Sequence, residues 1–241
     1  MRGQELAIAK IKKYISDFNL GRLTKKVKKA LVLNGPPGVG KTTLVHVFAN
    51  ELNAEIFELN ASDIRNKQKL QEILKPAMQQ QSLFSKRKII LVDEVDGISG
   101  YYDRGGVSEL VTLIALSNYP VVITSNDIWK KNLAPLRKKA ELAELKELTY
   151  GNILDILINI LKKENLFVNS NVLKSIASRT KGDIRAAIND LQSVARLQDP
   201  SIITLDERNK QQDIFKVLQK IYKEEPTNEI LNIYWNFFRH S

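Results

Sequence analysis

The chain has 241 residues, a formal net charge of +10 and no cysteine. This length allows one α/β domain and a smaller second domain to form hydrophobic cores without disulfides or metals. The absence of cysteine excludes thiolate metal sites and cysteine nucleophiles. No apolar run approaches the ~20 residues of a transmembrane helix, and the basic N-terminus lacks the apolar segment of a signal peptide, so we expect a cytoplasmic protein.

The positive charge is concentrated near the N-terminus. Residues 1–30 contain nine Lys or Arg and two acidic residues, whereas the rest of the chain is nearly balanced. Such an excess attracts phosphate backbones and fits a nucleic-acid partner. A solvated lysine-rich segment that only aids solubility would have the same composition, and charge alone leaves both interpretations open.

In chain order, the first predicted element is a helix at about 5–18, followed by a polar connection at 19–29. Apolar runs then alternate with helical patterns, and five of these runs are predicted strands: 30–34, 55–59, 88–93, 120–125 and 141–145. Continuous aliphatic runs are typical of parallel strands that are covered on both faces. We therefore predict an α/β fold with a doubly wound, five-stranded parallel sheet in residues 1–148.

Strand patterns end at residue 149. Helical patterns follow at about 151–164, 170–179 and 183–197, which predicts a small all-helical domain at 149–198. Asp199 and Pro200 mark a boundary, and two further amphipathic patterns at 208–223 and 227–239 predict another helical segment at 199–241.

A glycine-rich loop, here named the phosphate loop, separates the first predicted strand from a helical pattern. Its candidate nucleotide-binding residues are Gly35, Pro36, Pro37, Gly38, Val39, Gly40, Lys41, Thr42 and Thr43. Glycines let successive backbone N–H groups point at a β-phosphate, Lys41 can neutralise the β- and γ-phosphates, and Thr42 can offer its hydroxyl to Mg²⁺. The order of strand, loop and helix predicts a site for a nucleoside triphosphate and Mg²⁺.

Polar residues follow the later predicted strands. Asp93 is the second candidate ligand of Mg²⁺, and Glu94 is the candidate base for the water that attacks the γ-phosphate. A small-molecule kinase transfers the phosphoryl group to a bound acceptor and needs no base for water, so this pair favours hydrolysis. Asn126 is the candidate γ-phosphate sensor, and Arg185 could reach the phosphates from the helical domain. In isolation, Asn126 would be a turn residue and Arg185 a surface residue.

The order of the segments GPPGVGKT, LVDEVD, TSN and GDIR resembles the AAA+ ATPases. The segment ELNASD at 58–63 resembles a motif of the replication factor C family. The segments DRGG at 103–106 and NDLQ at 189–192 resemble motifs of the archaeal large subunits of that family. This resemblance covers about residues 3–197. It implies an ATPase that loads a sliding clamp onto primer-template DNA, with ATP and Mg²⁺ as cofactors. It also implies small subunits, the clamp and DNA as partners, a nucleoid-associated location, a lid domain at 149–198 and the start of a helical collar at 199–241.

The same resemblance suggests residues that contact DNA. Arg65, Lys67 and Arg104 lie near two predicted helix starts, where the family follows the duplex backbone without reading its sequence. Surface ion pairs of these cations with Asp63 and Asp103 are the alternative.

Three segments depart from the family pattern. Lys139 stands where the small subunits carry an arginine that completes a neighbouring site, and because lysine lacks the guanidinium fork we expect no such contribution from this chain. The N-terminal segment resembles only the middle of the adenine-side box, and residues 199–241 resemble only the start of the collar. We therefore expect one piece of a split or truncated large subunit, with a separate collar polypeptide as a further partner.

Two alternatives share the nucleotide-binding residues. The chain could bind ATP mainly to lock an assembly, with its own hydrolysis dispensable, and a Glu94→Gln variant distinguishes that function from hydrolysis-dependent loading. It could also be another AAA+ DNA motor, which the ELNASD segment disfavours. Because a neighbouring arginine completes each site in the family, we expect weak ATP hydrolysis by the isolated chain.

Overall fold

The computed structural model describes residues 3–21, 28–61, 67–80, 87–98 and 105–196. The chain divides into two compact units, Met1–Pro200 and Ser201–Ser241, and the second unit lies outside the described residues. The predicted helical segment at 199–241 and the candidate DNA contacts Arg65 and Arg104 are therefore also outside them.

The first unit contains a sheet of five strands. These are β1 (Ala30–Asn34), β2 (Glu55–Asn60), β3 (Lys88–Asp93), β4 (Val121–Ser125) and β5 (Ala140–Glu144). All are parallel, in the order β2-β3-β4-β1-β5, which confirms the predicted fold class. The predicted bounds differ by one residue at β2, β4 and β5. Pro120 lies just before β4 because it has no N–H to donate to a neighbouring strand. Its carbonyl still accepts from the Ile90 N–H, at 3.0 Å.

Helices cover both faces of the sheet. α1 (Glu5–Asn19) and α2 (Lys41–Glu51) share a buried core with Leu31 and Leu33, whereas α3 (Lys67–Gln79), α4 (Gly106–Leu116) and α5 (Ala134–Lys139) share the other core with Val32. Successive strand residues point to opposite faces, which explains why a continuous aliphatic run supplies both cores.

The N-terminal helix is held to the sheet by polar contacts. The buried hydroxyl of Tyr14 donates to the Lys29 carbonyl at 2.7 Å and accepts from the Val121 N–H at 3.2 Å. Burial raises the pKa of Tyr14. The buried amide of Gln4 contacts both backbone groups of Lys146, at 2.6 and 3.2 Å. These contacts fix the N-terminal segment against the sheet and the segment that follows β5.

The three helices of the predicted lid are α6 (Tyr150–Glu164), α7 (Ser170–Arg179) and α8 (Ile184–Arg196), within one or two residues of the predicted bounds. They pack through the buried side chains of Leu157, Ile176 and Leu191. The Thr149 hydroxyl accepts from the Asn152 N–H and caps α6. In the part of the chain that the structure describes, no helix is both long and apolar enough for a membrane span.

Candidate nucleotide-binding site

A cavity lies at the carboxyl edge of the sheet, where ligands of doubly wound folds bind. The phosphate loop, the ends of β3 and β4, and the start of α8 meet there. Its lining residues are Pro37, Gly38, Gly40, Lys41, Thr42, Thr43, Asp93, Glu94, Thr124, Ser125, Asn126 and Arg185. The structure thus brings together the candidate catalytic and metal-binding residues, although their roles stay predictions.

The phosphate loop has the backbone of an anion-binding site. Gly38 has a φ of 75° and Gly40 a φ of 91°, in the left-handed region that favours glycine. A Cβ at Gly35 would collide with the Leu145 carbonyl, and one at Gly38 with the Asp183 carboxylate. Left-handed turns that lead into the N-terminus of α2 direct N–H groups toward one point, and this geometry fits a phosphate.

Lys41 is held at the centre of the loop. Its side chain is buried, and its ammonium donates to the carbonyls of Gly35 and Pro36, at 2.7 and 2.9 Å, and to Asn126 Oδ1 at 2.7 Å. Burial lowers the pKa of Lys41, and the nearby charges of Asp96 and Asp93 oppose that shift. The three acceptors therefore position a cation within the loop.

Two hydroxyl groups converge on Asp93. Thr42 Oγ1 donates to Asp93 Oδ1 at 2.9 Å, and Thr124 Oγ1 donates to the same oxygen at 2.5 Å. Mg²⁺ prefers oxygen ligands, usually one or two protein groups together with phosphate and water. The paired oxygens of Thr42 and Asp93 beside the phosphate loop fit this preference.

Glu94 departs from the regular backbone of β3. Its φ of 54° lies in the left-handed region, which residues other than glycine rarely adopt. The Glu94 N–H donates to Thr124 Oγ1 at 2.9 Å, and its carbonyl accepts from the Gly97 N–H at 2.8 Å. Such backbone strain clusters at functional sites, because the surrounding structure must enforce it.

Asp96 is a site residue whose role the sequence did not indicate. Its two carboxylate oxygens accept from the Asn126 N–H, at 2.9 and 3.1 Å, while the side chain of Asn126 contacts Lys41. Thr124, which links Asp93 to Glu94, was missed in the same way. In the sequence, Asp96 and Thr124 are marked only by their position next to the strand-end residues already singled out. Their hydrogen-bond partners lie about 30 positions away in the chain.

The lid meets the phosphate loop through its backbone. The Gly38 carbonyl accepts from the N–H groups of Ile184 and Arg185, at 3.2 and 3.4 Å. Asp183 Oδ1 accepts from the Ala186 N–H at 2.9 Å and so caps α8. The exposed side chain of Arg185 reaches the cavity from this helix start.

Some predicted binding residues lie outside the cavity lining. Gly35 and Pro36 provide carbonyl oxygens to Lys41, and the side chain of Val39 is buried in the core beneath α1 and α2. Lys67 is the first residue of α3, but its side chain is outside the described part of the chain. Lys139 is exposed at the end of α5.

Two family models match the chain. Residues 31–145 match the ATPase family associated with various cellular activities (AAA), and residues 155–196 match the RCF1/5-like AAA+ ATPase lid domain.

Curated relatives named replication factor C large subunit match most of the chain. The protein from Thermofilum pendens is 45% identical, with 87% of this chain and 52% of the relative covered. The protein from Nanoarchaeum equitans is 40% identical, with 89% and 50% covered. The chain thus spans about half the length of these relatives.

Among solved structures, the RuvB Holliday junction branch migration motor of Thermotoga maritima superposes with a TM-score of 0.64. The match covers 93% of this chain and 78% of that one at 21% identity, a similarity that supports the fold alone.

Proposed function

Because the chain belongs to the AAA+ ATPase family, in the branch of the replication factor C large subunits, we propose that it is an ATP-hydrolysing subunit of a clamp loader. It couples the binding and hydrolysis of ATP to the loading of a sliding clamp onto primer-template DNA. The cavity that joins Lys41, Asp93 and Glu94 to Arg185 is the observation that supports this function best. Hydrolysis by the isolated chain is weak, because a neighbouring subunit supplies an arginine to the site.

Each side chain of the cavity has a separate task. Lys41 and the N–H groups of the phosphate loop bind the β- and γ-phosphates. Thr42 and Asp93 hold Mg²⁺, which neutralises phosphate charge when bound. Glu94 accepts the proton of the attacking water.

Two further groups act on the γ-phosphate. Because Asn126 Oδ1 faces Lys41, its amide NH₂ is the group that donates to the γ-phosphate. Arg185 adds a positive charge from the lid. ATP binding therefore connects the lid to the sheet domain through one phosphate group.

The partners of this function are replication factor C small subunits, the clamp and DNA. The names of the curated relatives support membership of such a loader. Arg65, Lys67 and Arg104 contact the phosphate backbone of DNA without reading sequence. Lys139 is exposed at the end of α5, where the small subunits carry the arginine that completes a neighbouring site. Because lysine lacks the guanidinium fork, this chain completes no neighbouring site. The loader acts in the cytoplasm, at the nucleoid.

The decisive test replaces Glu94 with Gln in a loader reconstituted with small subunits, clamp and primed DNA. Hydrolysis should fall by about 10²–10⁴-fold, because the water loses its base. The affinity for Mg²⁺-ATP should stay within about twofold, since a neutral amide has nearly the same size, and clamp loading should stop. Phosphate release, equilibrium ATP binding and clamp retention on DNA are the measurements.

Glu144→Gln is the matched control. Glu144 ends β5 at the same edge of the sheet but does not line the cavity, so all three measurements should remain unchanged. Normal loading by Glu94→Gln would favour an ATP-binding subunit with dispensable hydrolysis. Absence of Mg²⁺-dependent ATP binding by the wild-type complex would refute the site itself.

A further inference from the structure

An exposed tryptophan after β4 is followed in the chain by two basic segments. Trp129 is 60% exposed, although burial of a side chain this large is favourable. Lys130 and Lys131 follow it directly, and Arg137, Lys138 and Lys139 end α5. We name these six residues the Trp129 patch.

The indole of Trp129 is held in place on one side. The guanidinium carbon of Arg137 lies 4.9 Å from the ring centroid, and Arg137 Nη1 donates to the Ile128 carbonyl at 3.1 Å. The backbone N–H of Trp129 donates to Asp127 Oδ1 at 2.9 Å. Ile128 and Leu136 are fully buried and anchor both segments. Arg137 thus covers part of the indole, and much of the side chain faces solvent.

Four exposed lysines are close in the chain to this stacked pair. Each lies within two residues of Trp129 or Arg137, so each Cα lies within about 7.6 Å of one of their Cα atoms. Asp127 is the only carboxylate in residues 126–139, against five cationic side chains. None of the six patch residues lines the nucleotide cavity.

We propose that the Trp129 patch binds single-stranded nucleic acid, with a base stacked on the indole and phosphates held by the lysines. Proteins that bind single strands combine an aromatic platform with a positively charged track, and arginine stacking strengthens such platforms. Tryptophan and arginine are enriched at protein–protein interfaces, but lysine is depleted there. Four of the six patch residues are lysines, and this composition favours a phosphate backbone over a protein surface as the occupant. Binding should be insensitive to sequence, because every base offers a π-face.

The chain allows a local optical test. It contains two tryptophans, Trp129 and Trp235, so Trp235→Phe leaves Trp129 as the only indole reporter. An oligothymidylate of about 15 nucleotides matches the length that one such site contacts. Titration of the full chain should quench Trp129 emission to saturation without ATP. The quenching should persist with Arg65→Ala and Arg104→Ala added, because it reports the patch alone.

Variants separate stacking from charge, with binding followed by the anisotropy of a labelled oligothymidylate. Trp129→Ala should weaken binding by about 5- to 150-fold, whereas Trp129→Phe should retain most of the affinity. Replacing Lys130 and Lys131 with Ala should make the negative slope of log K against log salt shallower by about 1.4. The same replacement of Lys162 and Lys163, exposed on α6, is the control and should change neither quantity.

Either of two results would overturn the proposal. One is unquenched Trp129 emission at saturating oligothymidylate. The other is an unchanged oligothymidylate affinity in a folded Trp129→Ala variant. If that variant also loses association with the small subunits, the patch is a protein interface. Circular dichroism of each variant establishes folding, and Trp129→Phe provides a second measurement should Trp129→Ala not fold.

Discussion

The sheet domain and the lid contribute to the candidate site in different ways. Lys41, Thr42 and Asp93 come from the sheet domain and are already hydrogen-bonded to neighbouring groups. The lid contributes Arg185, whose side chain is exposed and whose position depends on backbone contacts with Gly38. The sheet half of the site is therefore positioned by several side-chain hydrogen bonds, whereas the lid half depends on how α8 meets the phosphate loop.

Removing a charge from the sheet half should have the largest effect. We expect Lys41→Met to weaken Mg²⁺-ATP binding by at least about 100-fold, because the proposed function has Lys41 donate hydrogen bonds to charged phosphates and each such bond is worth about 1.5–3 kcal/mol. Isothermal titration measures this affinity. Lys174→Met, on the exposed surface of α7, is the control. An equal loss in both variants would contradict the central position of Lys41.

The contact between the two halves can be tested at Gly38. Alanine there must adopt a left-handed backbone, at a cost of about 1–2 kcal/mol, and its Cβ would also collide with Asp183. We expect Gly38→Ala to lower the free energy of unfolding by about 2–3 kcal/mol, measured by urea denaturation.

Gly21 provides a control with matched backbone strain. It has a φ of 63°, but a Cβ there would meet no atom within 4 Å. Gly21→Ala should therefore lower the free energy of unfolding by only the backbone cost of about 1–2 kcal/mol. Equal losses for the two variants would mean that the contact between the phosphate loop and Asp183 is unimportant for stability.

The lid half should show the smallest effect. Arg185→Ala should weaken Mg²⁺-ATP binding by about three- to tenfold, because an exposed charge interacts weakly through solvent. Arg196→Ala, at the other end of the same helix, should leave the affinity unchanged. A loss as large as that of Lys41→Met would show that the lid arginine is organised as firmly as the sheet residues.

Local features were the easiest to predict from the sequence. The phosphate loop is a continuous segment, so glycine spacing and Lys41 identify it without knowledge of the fold. By contrast, no helix was assigned specifically to α3, which contains Pro76, a residue that disfavours a helix interior. Leu70 and Leu74 of α3 are almost fully buried, and this packing outweighs the local signal.

Contacts between distant segments were harder to predict. The bonds from Asp96 to Asn126 and from Gln4 to Lys146 depend on which strands become neighbours. Periodicity identifies strands but does not give their order across the sheet. These site and anchoring contacts therefore required the tertiary structure.

The sequence by itself determined the position of the phosphate loop, the parallel α/β architecture and the resemblance to its family, because these are encoded in short contiguous segments. The tertiary structure decided the strained backbone of Glu94, the convergence of Thr42 and Thr124 on Asp93, and the stacking of Arg137 on Trp129. Each of these depends on groups that approach only when the strands take their places in the sheet, and pairwise proximity of that kind leaves no local pattern in the chain.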